Sequence, residues 1–274
     1  MKSQPEPNIL DSGGTGPALV FLHGFCESKD IWQDFVAPFP LKYRLIMIDL
    51  PGFGGNTAPQ PDYSMERAAA LVNQALAHLK VKKSLVIGHS MGGYVALALA
   101  EKYPQLLAGL VLFHSSALAD SEEKKESRNK TIAFIRKQGV DKFMDTFVAP
   151  LFYEGNREAK KEVIALLTQI GKQSPEQAIV GALAGMRDRP DRSLVLQAVD
   201  FPVMFITGKQ DPAVSLEQTL QQCHLPKEAH TVILEQTGHM GMFERPRETR
   251  LALEGFAARC FARTAKQETP DMRG

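Results

Sequence analysis

One serine of the chain lies between two glycines, in the segment Gly88-His89-Ser90-Met91-Gly92, which fits the pattern G-x-S-x-G. A short apolar run, Ser84 to Ile87, precedes this segment, and a stretch rich in Ala and Leu, Met91 to Tyr103, follows it. A strand, a tight turn and a helix in this order form a nucleophile elbow, whose serine hydroxyl attacks a carbonyl carbon. Side chains at the two glycine positions would collide across such a turn. The pattern therefore predicts that Ser90 is a nucleophile.

A serine hydroxyl needs a general base, and after a nucleophile elbow the chain order is serine, acid, histidine. His239 follows the last apolar run, in the glycine-flanked loop Gly238-His239-Met240-Gly241. Asp211 is the first carboxylate after the preceding apolar run, Val203 to Thr207. We predict that His239 removes the proton of Ser90 and that Asp211 holds the imidazole in the required tautomer.

Six further histidines are present, and their positions argue against each of them as the base. His78 and His224 are predicted on the surface, and His230 opens the last strand. His23 and His89 lie near the site but precede the serine in chain order. The sixth, His114, ends an apolar run. It is predicted either to contact the substrate or to be a buried structural residue.

An oxyanion formed during carbonyl attack needs preorganised donors. One donor is predicted to be the backbone N–H of Met91, directly after the nucleophile, and the second should come from the loop after the first long strand. That loop begins His23-Gly24-Phe25, and we assign the second donor to the backbone N–H of Phe25.

Six short apolar runs with no alternation indicate strands that are buried on both faces, as in a parallel sheet. They span Ala18 to Leu22, Tyr43 to Ile48, Ser84 to Ile87, Gly109 to Phe113, Val203 to Thr207 and Thr231 to Leu234. One further short strand is expected near Asn8 to Leu10. Helical spacing lies between the runs, so the sequence predicts an α/β domain with a mostly parallel central sheet and helices on both faces.

The alternation stops after Phe113, and from about Ala119 to Val199 the patterns are helical only. We expect a core domain of residues 1–117 and 199–274 that is interrupted by a helical cap, 118–198. An insertion after a strand's carboxyl end lies over the ligand site of such sheets, so this cap is predicted to be a lid. The alternative is a helical insertion that has no role at the site. Its phenylalanines suggest an apolar pocket, in which we expect Phe25, Phe143 and Phe147 to contact substrate.

Composition excludes several classes of function. The net charge is +1, which gives no attraction to nucleic acid or to an anionic membrane. No apolar run approaches the roughly 18 residues of a membrane span, and the first residues lack the apolar stretch of a signal peptide. Three widely spaced cysteines argue against a disulfide framework or a zinc site and favour a reducing compartment. We expect a cytoplasmic protein with no metal and no cofactor, and the sequence leaves the oligomeric state open.

With these residues in hand, the chain resembles the α/β-hydrolase superfamily, and more narrowly its small capped hydrolases and esterases. The resemblance covers nearly the whole chain and rests on five segments: His23-Gly24-Phe25, Asp49-Leu50-Pro51-Gly52-Phe53-Gly54, Gly88 to Gly93, Gly208 to Asp211 and Gly238-His239. It implies the α/β-hydrolase fold, although the short N-terminal segment departs from the family pattern and predicts an absent or truncated antiparallel edge strand.

The resemblance is not specific for one reaction. Haloalkane dehalogenases and epoxide hydrolases of this superfamily use an aspartate nucleophile, and Ser90 argues against both. The menaquinone-pathway lyase often carries Arg directly after the double glycine, where this chain has Tyr94, and this difference argues against that activity. We expect a carboxylesterase that cleaves small to medium carboxylic esters. Two alternatives remain: a carbon–carbon bond hydrolase, which should place a lid cation such as Arg128 or Arg187 opposite the serine, and a binding or sensor protein with slow turnover.

Overall fold

The computed structural model describes residues 8–268 of the chain. Within them, seven strands form one sheet. The strands are β1 Ile9–Asp11, β2 Ala18–Leu22, β3 Arg44–Ile48, β4 Ser84–His89, β5 Leu107–Phe113, β6 Val203–Gly208 and β7 Ala229–Leu234. Every strand expected from the sequence is present, and the ends differ from the expected ones by at most two residues.

The strand order across the sheet is β1-β3-β2-β4-β5-β6-β7. All neighbouring pairs are parallel except β1 and β3. The three-residue β1 is the one antiparallel strand of the described range, as the short N-terminal segment predicts. The register pairs Leu22 with Gly88, and Gly208 with Leu234. The loops that follow β2, β4, β6 and β7 therefore leave the sheet at the same edge, which brings the predicted site residues together.

Burial distinguishes the central strands from the edge. Every residue of β2, β4, β5 and β6 is buried. In β7, by contrast, exposed and partly buried residues alternate until the buried Leu234. The prediction that this last run is buried on both faces was wrong: at this end of the sheet one face of β7 is open to solvent, where Ala229, Thr231 and Ile233 are exposed.

Eleven helices are present within residues 8–268. Six belong to the α/β core: α1 Gln33–Val36, α2 Met65–His78, α3 Met91–Lys102, α9 Leu216–Gln222, α10 Gly241–Glu244 and α11 Pro246–Glu268. Helix α2 packs against α3, and α11 packs against α1, so that helices cover the sheet. Ser64 caps α2, because its side chain accepts a hydrogen bond from the N–H of Arg67. No helix among the described residues is long and apolar enough to cross a membrane.

Five helices lie between β5 and β6, and together with their connections they form what we call the helical insertion, residues 118–198. They are α4 Glu122–Gln138, α5 Val140–Phe147, α6 Lys161–Lys172, α7 Glu176–Asp188 and α8 Ser193–Ala198. Ser121 caps α4, because its side chain accepts a hydrogen bond from the N–H of Lys124, whereas α7 has Pro175 at its cap and no side-chain cap hydrogen bond.

Candidate active site

The nucleophile elbow has the strained geometry that its sequence predicts. Ser90 joins β4 to α3 with φ 50° and ψ −114°, a backbone conformation that L-residues avoid unless the surroundings impose it. A Cβ on Gly88 would lie 2.4 Å from the carbonyl oxygen of Gly92, and one on Gly92 would lie 2.5 Å from that of Leu22. Both clashes involve backbone, so the turn requires glycine at both positions.

The predicted acid and base are in contact. Nδ1 of His239 lies 2.9 Å from Oδ1 and 2.8 Å from Oδ2 of Asp211. A carboxylate only accepts hydrogen bonds, so Nδ1 carries a proton and Nε2 of a neutral imidazole is left free to accept one. This is the tautomer that a general base beside a serine needs.

Asp211 stays ionised in this setting. Burial by itself would raise the pKa of its carboxyl, but the neighbouring His239 and His114 outweigh burial and lower that pKa. The carboxylate also accepts hydrogen bonds from the backbone N–H groups of Ala213 and Val214, at 2.8 and 2.9 Å. An anion held by four donors has little freedom to rotate, so it fixes the orientation of the His239 ring.

The structure places His114 behind Asp211 and away from the cavity, so the expected contact of this residue with substrate was wrong. Its side chain is 0 % exposed. Nδ1 donates to Asp211 Oδ2 at 2.8 Å, and Nε2 accepts the N–H of Gly241 at 3.2 Å. Burial lowers the pKa of His114 to about 4, so the ring is a neutral, structural support for the carboxylate.

The two predicted oxyanion donors have free N–H groups. Within residues 8–268, neither the N–H of Phe25 nor that of Met91 donates a hydrogen bond to a protein acceptor. Met91 begins α3, where backbone N–H groups have no partner inside the helix and the helix dipole favours negative charge. Both residues lie at the edge of the sheet where β2 and β4 end. Their N–H groups are therefore available to donate hydrogen bonds to a developing oxyanion.

A cavity of about 450 Å³ contains the predicted nucleophile and base, since Ser90 and His239 both line it. One wall is aromatic: the rings of Phe143 and Phe147 stack at 4.8 Å, and the ring of Phe25 lies 5.7 Å from that of Phe147. All three therefore line the cavity, as expected for substrate contacts. Helix α4 supplies a polar rim that includes Ser127, Arg128 and Thr131.

The comparisons with known proteins agree with this arrangement. A family model described as the alpha/beta hydrolase fold matches residues 17–246. The chain belongs to the α/β-hydrolase fold family. A 3-oxoadipate enol-lactonase from Acinetobacter baylyi is 26% identical to this α/β hydrolase over 246 residues, which cover 89% of each chain. A 2-succinyl-6-hydroxy-2,4-cyclohexadiene-1-carboxylate synthase from an Enterobacter species is 27% identical and covers 78% of this chain and 84% of its own.

Among solved structures, a thermophilic esterase from Thermogutta terrifontis superposes on this α/β hydrolase with a TM-score of 0.87 and 28% sequence identity, and the match covers 93% of both chains. The relatives thus include an esterase, a lactonase and a synthase. The comparisons therefore identify the family of this chain and leave its reaction open.

Glu244 is a site residue that sequence reasoning missed. Its side chain is buried, and Oε1 accepts the N–H of Gly238, next to His239, at 2.9 Å. Oε2 accepts the N–H of Tyr153 at 2.9 Å and the side-chain amide of Asn156 at 2.8 Å. The carboxylate therefore ties the loop of the predicted base to the helical insertion. No local pattern marks this role, because Tyr153 and Asn156 lie 91 and 88 residues away from Glu244 in the sequence.

Among the described residues, one group of side chains could hold a metal ion, and it surrounds Asp211. Donor atoms of His114, Asp211 and His239 lie within 4.8 Å of one another. Both imidazoles already donate a proton to the carboxylate, so a cation would have to displace two hydrogen bonds. The set fits a hydrogen-bonded acid and base better than a metal centre.

Proposed function

We propose that this α/β hydrolase is a carboxylesterase that cleaves small to medium carboxylic esters through an acyl-enzyme on Ser90. The contact between His239 and Asp211, in the cavity that Ser90 lines, is the observation that carries the proposal. The free N–H groups of Phe25 and Met91 support it, because they offer the stabilisation that a tetrahedral intermediate needs.

The reaction has two halves. The Ser90 hydroxyl oxygen attacks the ester carbonyl carbon while His239 Nε2 takes the hydroxyl proton, and the N–H groups of Phe25 and Met91 bind the oxyanion. Collapse breaks the bond to the alcohol oxygen, which leaves with the proton from His239. A water molecule then attacks the acyl-enzyme with the same base and the same donors. Its products are the free carboxylic acid and Ser90. Asp211 stabilises the imidazolium in each half.

The aromatic wall supports an apolar substrate group. Phe25, Phe143 and Phe147 offer one face of a cavity of about 450 Å³, a size within the range of sites for small molecules. We propose that an acyl or alcohol chain packs there and that the helical insertion acts as a lid, because its α4 and α5 supply much of the cavity's surface.

A carbon–carbon bond hydrolase is the second candidate, and Arg128 favours it. This lid cation lines the cavity of Ser90, as that reaction would require, and its Nε is ion-paired with Asp120. Arg187 is absent from the lining and pairs with Asp188. Arg128 Nη2 donates no hydrogen bond within the described residues, so it is available to an anionic substrate. A vinylogous diketone that is turned over faster than neutral esters would favour this candidate over the esterase.

Replacing Ser90 tests the proposal. Ser90→Ala should lower kcat/KM for 4-nitrophenyl acetate by roughly 10⁴-fold or more, since members of a triad act as a unit. The variant should also lose labelling by a fluorophosphonate probe. Ser193→Ala, on helix α8 outside the cavity, is the matched control and should retain parental turnover.

Two outcomes would contradict the esterase. Parental rates in purified Ser90→Ala would mean that another group does the chemistry. A parent protein that neither turns over esters nor takes up the probe would instead favour the binding or sensor alternative, in which the hydrolase fold is kept without catalysis.

A further inference from the structure

A second buried acid and histidine lie in the cavity beside the predicted triad. Nδ1 of His89 is 3.0 Å from Oε2 of Glu27, and both residues line the cavity of Ser90. The side chains are 1 % and 7 % exposed, respectively. The mechanism above uses neither of them, although His89 directly precedes the nucleophile and Glu27 follows Phe25 by two residues.

Hydrogen bonds fix the protonation of His89. Its Nε2 lies 3.0 Å from the backbone carbonyl oxygen of His239, which can only accept, so Nε2 carries a proton. On the other side, Glu27 Oε2 also accepts the N–H of Gly24, at 2.5 Å. Both ring nitrogens of His89 thus face oxygens, and neither meets a donor, which is the arrangement of an imidazolium opposite a carboxylate.

The electrostatics agree with an ion pair. Burial alone would lower the pKa of His89, but Glu27 outweighs burial and raises it. Burial alone would raise the pKa of Glu27, but His89 outweighs burial and lowers it. Three other titratable groups surround the His89 ring: His239 at 5.1 Å between centroids, His114 at 6.2 Å, and His23, whose own pKa is lowered by burial and by the charge of His89. Asp211 adds a second negative charge that favours the imidazolium.

The atoms around the pair are tightly packed. A Cβ added to Gly24 would lie 2.7 Å from His89 Nδ1 and 2.8 Å from Glu27 Oε2. Hydrogen bonds of the pair therefore connect three loops. Glu27 and Gly24 belong to the loop of Phe25, His89 belongs to the elbow, and the His239 carbonyl belongs to the loop of the predicted base. These are the loops that carry both oxyanion donors, the nucleophile and the base.

We propose that the Glu27–His89 ion pair is a positioning element of the hydrolytic site, which holds the oxyanion loop and the His239 loop in register with Ser90. The inference rests on the proposed function. Fold stability alone is a poor reason for such a pair, because well-packed apolar residues are often as stabilising as a buried ion pair. A displacement of about 1 Å among reacting groups can lower the rate about 100-fold, so a rigid tie at this place matters for turnover.

The isosteric change Glu27→Gln is the first test. It removes the charge and leaves an oxygen for the Gly24 N–H. We expect kcat for 4-nitrophenyl acetate to fall by about 100-fold with little change in KM, because the oxyanion donors act mainly in the transition state. Glu27→Asp keeps the charge and should recover part of the loss. Glu158→Gln, at an exposed glutamate outside the cavity, is the matched control and should match the parent.

The pH profile separates positioning from mere structural support. In the parent, kcat should fall on the alkaline side as His89 loses its proton, because a neutral ring can no longer donate to both Glu27 and the His239 carbonyl. His89→Gln cannot titrate, so its profile should lack this alkaline limb and have a lower plateau. His89→Gln also serves as the second variant if Glu27→Gln does not fold, which thermal unfolding of each variant reports.

The outcomes are distinct. If Ser90→Ala abolishes turnover while Glu27→Gln and His89→Gln keep parental kcat and the parental pH profile, the positioning role is overturned and the esterase proposal stands. If Ser90→Ala retains turnover, the proposed function itself fails. A fall in kcat that Glu27→Asp partly restores, with the alkaline limb lost in His89→Gln, supports the inference.

Discussion

Gly92 has no room for a side chain, because a Cβ there would lie 2.5 Å from the carbonyl oxygen of Leu22 and 2.6 Å from that of His23. Both atoms belong to backbone and cannot rotate away. Gly92→Ala should therefore lower the free energy of unfolding by about 3 kcal/mol and disturb the elbow of Ser90. Urea unfolding measures the first effect and fluorophosphonate labelling the second.

Gly255 provides the matched control for that substitution. It is an exposed position of helix α11, and a Cβ there would meet no atom within 4 Å. Gly255→Ala should raise the free energy of unfolding by about 0.5–1 kcal/mol, because alanine loses less backbone entropy in a helix. Equal effects of the two substitutions would show that the steric account of the elbow is wrong.

The sequence predicts the placement of some site residues and not of others. Ser90, Asp211 and His239 each follow a strand in a fixed chain order, so their placement could be predicted. His114 also follows a strand, yet its ring turns inward and hydrogen bonds to Asp211, which is 97 residues away. Which way a side chain at a strand end points depends on the neighbouring loops. The sequence of one strand does not contain that information.

At the scale of elements, the helical insertion completes the site that the sheet begins. Lys124 on helix α4 donates a hydrogen bond to the carbonyl of Ala213, close to Asp211, and the carbonyl of Leu151 accepts the N–H of His239 at 2.6 Å. Sequence patterns could predict the helices of the insertion. These contacts could not be predicted, because they depend on how the insertion packs on the core.

The aromatic wall gives a test of what the insertion contributes to specificity. Phe147→Ala should lower kcat/KM by about tenfold for esters with a long apolar acyl chain, since it removes part of the apolar surface that such a chain would bury. Acetyl esters should be affected much less. The measurement is an acyl-chain panel with the purified variant.

Phe134 is the control for this experiment, because it lies on helix α4 of the same insertion, is 43% exposed and does not line the cavity. Phe134→Ala should leave the chain-length profile unchanged. If both variants shift the profile alike, or neither does, the aromatic wall is not the acyl site.

For the whole molecule, the buried histidines make stability depend on pH. The pKa of His114 is about 4 in the folded protein, against 6.5 for an ordinary histidine. Below the ordinary value the unfolded chain binds a proton that the folded protein excludes. The stabilisation is therefore complete above pH 6.5 and is lost as the pH falls toward 4, by at most about 3 kcal/mol.

His114→Asn removes this titration while its amide can still donate to Asp211. Between pH 7 and pH 4.5, the free energy of unfolding should fall about 2–3 kcal/mol more in the parent than in the variant. Urea unfolding at the two pH values measures the difference. Parallel pH dependence in the two proteins would contradict a buried, neutral His114.

Other whole-molecule properties stay predictions of the sequence. A cytoplasmic location rests on the few, widely spaced cysteines, and the structure leaves Cys26, Cys223 and Cys260 as free thiols. Burial raises the pKa of the Cys26 thiol, so this residue beside Phe25 is unreactive. Its side chain packs in the hydrophobic core.

The sequence by itself determined the sheet, the elbow and the chain order of the predicted nucleophile, acid and base. These features rest on local physics, since a buried strand, a tight turn and a helix start each leave a pattern within a few neighbouring residues. The tertiary structure alone decided which side chains support them. Glu27 meets His89 across 62 residues, and Glu244 meets Tyr153 across 91. Contacts at such separations form only when loops from different strands meet at one edge of the sheet, so no local pattern encodes them.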